Sequence, residues 1–379
     1  MAQLTFMTHT LFDHGASQQL SKVLRQQGIK RPMLCTDRGL SDLGMVGDLL
    51  AGLGEQGAAT VFDETPENPT EDAVAKAAQA YRDTECDGII AFGGGSPMDL
   101  GKAVALAVTH DGELLEYTAG LGGVAKIGPI APMVAVPTTS GTGSEVSSGA
   151  VIIMDNGEKL ILASRHLVPR TAICDPSLTL GLPPHLTAAT GMDAMSHCIE
   201  ALLSPHVNPP AEAVACDGIE RGIRDGHLLK AVTDGSDKDA RWNMMMASTE
   251  GAMAFSKGLG AVHSMSHACG ADQTLRLHHG TLNAVLLPTI LDFNRDHVGD
   301  KYDRLNVAMG QDIGADPAQF FRDLNVQMGM PANLAEMGIT SEMIPALSAH
   351  AANDICTGTN ARKATIEDFQ ELFERAIAA

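Results

Sequence analysis

The chain has 379 residues, more than a typical single domain, and its 44% hydrophobic and 19% charged content is ordinary globular usage, which excludes disorder, collagen and coiled coil. Its 26 Lys and Arg against 46 Asp and Glu give a net charge of −20, so nucleic acid and anionic membrane surfaces are poor partners and a small molecule is expected. The seven cysteines are odd in number and form no C-x-x-C pair, no run of 18 apolar residues occurs, and the N-terminal stretch lacks a basic region followed by an apolar core. These features predict a reduced, cytoplasmic chain with no signal peptide or transmembrane helix.

In chain order, the pattern predicts a helix over 17–27, a strand over 31–36, a helix over 41–56 and a strand over 58–62. A helix over 70–82, with Thr70 as N-cap, a strand over 88–92, a helix over 97–108 and a strand over 133–136 follow. Strands alternating with helices at this spacing indicate βαβ units and a parallel sheet, whose ligands bind at the C-terminal strand ends. After Pro183 strand-like runs disappear. Helices are expected over 186–203, 211–224, 240–255, 261–269, 280–293 and 366–377, with SPHVNPP at 204–210 as a breaker. Two domains, 1–184 and 185–379, are expected around a cleft.

The first half carries two phosphate-binding signals. The strand at 88–92 runs into Gly93-Gly94-Gly95, and a helix starts at Ser96-Pro97, with Asp99 three positions after Ser96 as in a capping box. Glycines let a backbone approach a ligand, and free amides at a helix start bind phosphate; a tightly packed strand–helix corner is the plainer reading. The loop after the next strand, Pro137-TTSGTGSE, is rich in hydroxyls suited to phosphate or ribose, although such residues also build ordinary turns. Asp37 ends the second strand position, where a carboxylate accepts from an adenosine ribose, favouring NAD over NADP, or caps the helix that follows.

The helical half gathers metal-ligating types. Asp193 and His197 stand at i, i+4, as do His263 and His267, and His278-His279-Gly280 follows. One carboxylate with several imidazoles is an O/N set for Zn²⁺ or Fe²⁺. Spacing alone does not choose among His263, His267, His278 and His279. Lys257, in the SKGLG turn, is either a solvated turn charge or a partner for an anionic substrate group.

These strings together carry a resemblance. GGGSPMDLGKA at 93–103, VPTTSGTGSEVS at 136–147, DPSLTLGLPP at 175–184, ATGMDAMSHCIEA at 189–201, AFSKGLGAVHSMSH at 254–267 and HHGTLNAVLLP at 278–288 occur in one order. The chain resembles the iron-containing (group III) alcohol dehydrogenases over nearly its full length. The resemblance implies an N-terminal α/β dinucleotide-binding domain with a mostly parallel sheet and an all-α metal domain, the dehydroquinate synthase-like architecture. It implies NAD, and Fe²⁺ or Zn²⁺ on Asp193, His197, His263 and His279, the last because it directly precedes Gly280. It places the pyrophosphate on Gly94, Gly95 and Ser96, with Asp99 in the same set. Other cofactor contacts fall on Asp37, Asn68 (in an NPT turn), Thr138, Thr139, Ser144 and, by position more than motif, Lys159. His267 is the catalytic candidate in a proton path.

The implied reaction is the reversible NAD(H)-linked interconversion of an alcohol and its aldehyde or ketone, with the metal as Lewis acid on the alcohol oxygen and the alkoxide as hydride donor. A short primary alcohol or diol is the default substrate. An ω-hydroxy acid such as 4-hydroxybutyrate is the alternative, motivated by Lys257. A dehydroquinate synthase-like lyase, a maleylacetate reductase-type enzyme and a non-catalytic metal-binding scaffold are the rivals. The resemblance also implies a homodimer at least.

Overall fold

The computed structural model describes residues 8–53, 59–272 and 274–378. Their contacts separate two compact units: residues 8–139 with Ser144–Thr179, and Ser140–Gly143 with residues 180–378.

The first unit contains β1 (His9–Phe12), α1 (Leu20–Gln27), β2 (Pro32–Cys35), α2 (Arg38–Asp42), α3 (Met45–Ala51), β3 (Thr60–Phe62) and α4 (Glu71–Asp83). It continues with β4 (Gly88–Gly93), α5 (Gly95–Ala107), β5 (Met133–Pro137), β6 (Gly149–Ile153), β7 (Lys159–Ala163) and β8 (Thr171–Cys174). Six strands form one parallel sheet in the order β1-β8-β5-β4-β2-β3; β6 and β7 form a separate antiparallel pair. Alternate residues of each strand point to opposite faces, and both faces are covered. Ile89, Ala91, Met133 and Ala135 pack with α4 and α5, whereas Ile90, Phe92, Val134 and Val136 pack with α1 and α3. From β2 the chain crosses outward to β3, and from β4 it crosses the other way to β5. The topological switch point therefore lies between the C-terminal ends of β2 and β4, the position where open α/β sheets bind ligands.

The second unit is helical: α6 (Pro184–Leu203), α7 (Pro209–Ile219), α8 (His227–Thr233), α9 (Lys238–Ala254), α10 (Ala261–Gly270), α11 (His279–Asn294), α12 (Lys301–Ala308), α13 (Pro317–Gln327), α14 (Ile344–Asn353) and α15 (Ile366–Ala378). Local chemistry sets many starts. Asn208 caps α7 ahead of Pro209-Pro210, Asp237 caps α9 and Asp316 caps α13, each through its side chain. Helix α6 is the central element. It packs against α7, α9 and α11 and is buried from Thr187 to Leu203.

Several boundaries depart from the sequence pattern. The helix expected over 41–56 is two helices, broken at Gly44, whose φ of 78° lies in the left-handed region; its residues 54–56, and residue 58 of the strand expected after it, lie outside the described residues. The helix expected over 211–224 ends at Ile219 and continues as a π-helical turn over Glu220–Arg224. Strands β1, β6, β7 and β8, and helices α8, α12, α13 and α14, were not expected. Among the described residues no helix is long and apolar enough to cross a membrane.

Candidate metal centre and dinucleotide site

In the first unit, most of the residues expected to hold a dinucleotide stand near the switch point. Asp37 follows β2 and caps α2: its Oδ1 accepts from Leu40 N at 3.0 Å. The capping alternative is thus realised, with Oδ2 left over. Gly94 is the N-cap of α5, and no side chain caps that helix. Ser96 is therefore not the cap. It lies in the first turn and its Oγ donates to the Glu67 carbonyl. Asp99 does not close a capping box; it accepts from Ser144 Oγ at 2.7 Å and from Val151 N at 2.9 Å. Gly93 has φ 146°, and a Cβ there would meet Pro97 Cγ at 2.6 Å, so glycine is required by both backbone and packing. A Cβ on Gly94 would meet Thr139 Cγ2 at 3.4 Å. The uncapped first turn of α5, free of side chains at Gly94 and Gly95, suits a phosphate. Thr138 N donates to Gly93 O at 2.9 Å, linking the two loops.

Asn68 and Lys159 form a pair of their own, Lys159 Nζ donating to Asn68 Oδ1 at 2.9 Å. The NPT turn is fixed to the β6–β7 hairpin by Ile153 N donating to Pro69 O at 2.9 Å. Ser144 is buried, and its hydroxyl is engaged by Asp99 and by Lys102 Nζ at 2.9 Å. Lys102, not expected from the sequence, is fully buried and also donates to Ser147 O, Ser147 Oγ and Gly149 O. Burial lowers its amine to about 8 against the pull of Asp99 and Glu145. It organises the hydroxyl loop from beneath.

The glycines of that loop have a different task. Ser140–Gly143 belongs to the helical unit. A Cβ on Gly141 would meet Thr190 of α6 at 2.8 Å, and one on Gly143, with φ 59°, would meet Ala252 of α9 at 2.2 Å. Close helix approach explains this GTG stretch.

The helical unit brings Asp193, His197, His263 and His279 together. Asp193 Oδ1 lies 3.6 Å from His197 Nε2, 3.8 Å from His263 Nε2 and 3.5 Å from His279 Nε2. Helix α6 supplies the first two at i, i+4, α10 supplies His263, and His279 opens α11. His278 is the N-cap residue of α11, with its Nδ1 3.5 Å from Thr281 Oγ1. Gly280 lets α11 close on α6, since a Cβ there would meet Ala189 O at 2.1 Å. The rings of His197 and His263 stack at 4.7 Å, and Phe255 meets His197 edge-on at 5.0 Å.

The donor set fits a divalent cation: Asp193, His197 and His263 converge in a buried place, and the partly exposed His279 brings its Nε2 within 3.5 Å of Asp193 Oδ1. The neighbouring bonds orient them. His263 Nδ1 meets Glu200 Oε2 at 2.6 Å, which leaves Nε2 for a metal. Glu200 Oε1 also accepts from Val262 N at 2.8 Å. Ser266 Oγ lies 3.3 Å from His279 Nδ1. Asn283 Nδ2 donates to Asp193 Oδ1 at 2.8 Å, within 3.4 Å of His263 Nε2 and 3.2 Å of His279 Nε2, while its buried Oδ1 has no partner. The Gly141 backbone beside His197 favours its charged form. Burial nonetheless depresses His197 to about 4, so it is neutral near pH 7, as a ligand must be. His263 is held up to about 9: burial opposes its charge, but Asp193 and Glu200 outweigh it. A metal competes for the same place as that proton. Burial alone would raise Asp193, yet the surrounding imidazoles hold its carboxyl well below the usual range.

His267 stands beside this cluster, its ring stacked on His279 at 5.3 Å. Its Nδ1 lies 2.9 Å from Asp354 Oδ2. Lys257, by contrast, is 2% exposed and neither solvated nor available to a substrate. Its Nζ donates to Ala201 O, Leu202 O and Ser204 O and pairs with Glu212 Oε1 at 3.0 Å. It caps the C-terminus of α6, where carbonyls lack partners and the helix dipole favours a cation. The expectation of an anion-binding lysine is corrected accordingly. Glu200, Asn283, Asp354 and Lys102 are absent from the sequence-based set. Only Glu200 left a signal, sharing the face of Asp193 and His197 at i+7.

Sequence profiles add a decisive comparison. The iron-containing alcohol dehydrogenase profile matches residues 7–176, and the profile of that family's C-terminal domain matches residues 187–377. The chain belongs to the iron-containing alcohol dehydrogenase family. It is 50% identical, over all of both chains, to 4-hydroxybutyrate dehydrogenase of Cupriavidus necator. Among solved structures, a 1,3-propanediol oxidoreductase superposes with a TM-score of 0.93 at 32% identity, covering 99% of this chain and 100% of that one. Sulfoacetaldehyde reductase from Bifidobacterium kashiwanohense, solved with NAD⁺, gives 0.90 at 26% identity, covering 100% and 99%. As a member of this alcohol dehydrogenase family, the chain is an NAD-linked, metal-dependent alcohol oxidoreductase, and the parallel sheet with its helical partner unit is the family's fold.

Proposed function

We propose that this alcohol dehydrogenase interconverts 4-hydroxybutyrate and 4-oxobutanoate, oxidising the ω-hydroxyl with NAD⁺ or reducing the aldehyde with NADH. End-to-end similarity to a 4-hydroxybutyrate dehydrogenase at 50% identity carries this reading. Lys257 no longer supports it.

In this reading labour divides near residue 184: residues 1–184 hold the cofactor and 185–379 the metal. The phosphates lie on Gly94, Gly95 and Ser96 at the start of α5, and Asp37 accepts from the ribose, favouring NAD. Asn68, Thr138, Thr139, Ser144 and Lys159 complete the cofactor set, with Asp99 buttressing Ser144 rather than touching the ligand. Asp193, His197, His263 and His279 hold Fe²⁺, or Zn²⁺, which the same donors bind at least as tightly on the general affinity order. A bound metal supplies Lewis acidity to the substrate oxygen, and NAD supplies the hydride acceptor. Glu200 fixes the His263 tautomer. Asp354 holds His267 by Nδ1, so its Nε2 is left to exchange the hydroxyl proton with solvent. Phe255 and the apolar flank of α6 keep water from His197. No disulfide forms among the described residues, in keeping with a reduced cytoplasmic compartment, and the family resemblance supports a homodimer at least.

An NADH-coupled comparison of 4-hydroxybutyrate with 1-butanol and 1,3-propanediol, on protein of measured metal content, tests the substrate. We expect kcat/KM for the hydroxy acid to exceed that for either neutral alcohol by at least about tenfold, or about 1.4 kcal/mol of transition-state discrimination. Equal or reversed preference would assign the enzyme to neutral alcohols.

A further inference from the structure

We propose that His267, Asp354 and Cys356 form a second metal site beside the Asp193 centre, one that takes a borderline ion such as Zn²⁺ and shuts the enzyme down when filled. One ligand atom from each residue lies within 4.8 Å of the other two. His267 Nδ1 and Asp354 Oδ2 are already 2.9 Å apart. Tetrahedral zinc, with bonds of about 2.0–2.3 Å, needs about 3.3–3.6 Å between ligand atoms. Modest side-chain rotations close that difference.

The backbone prepares the arrangement. Asp354 Oδ1 accepts from Cys356 N at 2.8 Å and so caps the short 3₁₀ turn Ile355–Thr359. This uses one carboxylate oxygen, holds Asp354 and Cys356 on one side of the turn and leaves Oδ2 toward His267. Thr357 ties the same turn down, its Oγ1 bonded to Ser264 Oγ of α10 at 2.8 Å and to Ala351 O at 2.7 Å. The set is therefore built, not a chance meeting of mobile side chains.

Charge and access favour an ion. Burial first, and then the nearby carboxylates of Asp354 and Glu200, disfavour ionisation of the Cys356 thiol. The same negative surroundings favour a dication, which displaces the thiol proton on binding. The side chains of His267 and Asp354 are 13% and 9% exposed, so an ion can enter and water can supply a fourth ligand. The thiol also sets the preference. The Asp193 centre offers only oxygen and nitrogen, whereas a Cys-containing set selects zinc over ferrous iron, magnesium or manganese. Filling the second site takes His267 Nδ1 from Asp354 and ends the free movement of protons through that ring. This inhibitory consequence rests on the role proposed for His267; the binding does not.

The test uses the full-length protein with one equivalent of Co²⁺ already in the Asp193 centre. Further Co²⁺ should bind as a second equivalent and bring up the near-ultraviolet charge-transfer band of a cobalt thiolate. Cys356→Ser should keep the first equivalent and its turnover but lose both the second equivalent and the band. Excess Zn²⁺ should reduce parent turnover by about tenfold or more, the scale on which disturbed metal surroundings act, and spare Cys356→Ser. Absence of the second equivalent, or its persistence with the band in Cys356→Ser, overturns the site. A second equivalent with the band but without inhibition upholds the site and overturns the proton role of His267.

Discussion

A single carboxylate, Glu200, braces the proposed metal centre. It accepts from His263 Nδ1 with one oxygen and from Val262 N with the other, so one side chain fixes both an imidazole and the first turn of the helix carrying it. Glu200→Gln keeps an oxygen for Val262 N but places a donor against His263 Nδ1. We expect metal affinity to fall about 10–100-fold, measured by competition with a chromophoric chelator; unchanged affinity would remove Glu200 from the centre. At this scale the sequence was partly legible. Asp193, His197 and His263 announce themselves by residue type and helical spacing. Asp354 does not, because 87 residues separate it from His267 and only the fold joins them. Lys257 was misread for a related reason: a lysine in a glycine-rich turn looks solvated until the buried end of α6 is seen to require it.

Among the elements, α6 gathers the most. Its one face carries Asp193, His197 and Glu200, and Gly141 and Gly143 of the hydroxyl-rich loop rest on α6 and its neighbour α9. Gly143→Ala would put a methyl 2.2 Å from Ala252 Cβ on a left-handed backbone. A loss on the order of 1–3 kcal/mol follows from the backbone strain alone. Denaturation followed by the fluorescence of Trp242, the chain's one tryptophan, reads that loss in α9 of the helical unit; parent-like stability would discard the packing role. Elements with strong periodicity and caps, such as α4 behind Thr70, were readable within a residue or so. The edge strand β1 and the β6–β7 hairpin were not: they are only partly buried, whereas the equally short β2 and β5 are buried throughout, and the hairpin lies outside the strand–helix alternation that marks the others. The split between α2 and α3 turned on one glycine's backbone conformation.

For the whole molecule, the −20 charge makes polyanions poor partners yet says little about the site, where local donors meet local charges. Acidic crowding does have a consequence for stability. Glu250 is pushed up to about 9, chiefly by burial and then by Asp217, despite Arg221 nearby. The folded state thus holds a proton that the unfolded chain releases in the ordinary carboxylate range. The resulting stabilisation is complete below that range and is lost as pH rises toward about 9. Glu250→Gln removes the titration, so its Tm should exceed the parent's at pH 8 and approach it near pH 4, read by scanning calorimetry. Equal differences at both pH values would contradict this.

The central claim is that Asp193, His197, His263 and His279 hold the metal on which turnover depends. Chelator-treated protein, titrated anaerobically with Fe²⁺ while NADH formation from 4-hydroxybutyrate is followed, tests it most directly. The account predicts activity rising from near zero to a plateau at one equivalent per chain, with Asp193→Ala flat throughout. Full turnover before any metal is added, or an Asp193→Ala curve that matches the parent, would contradict it.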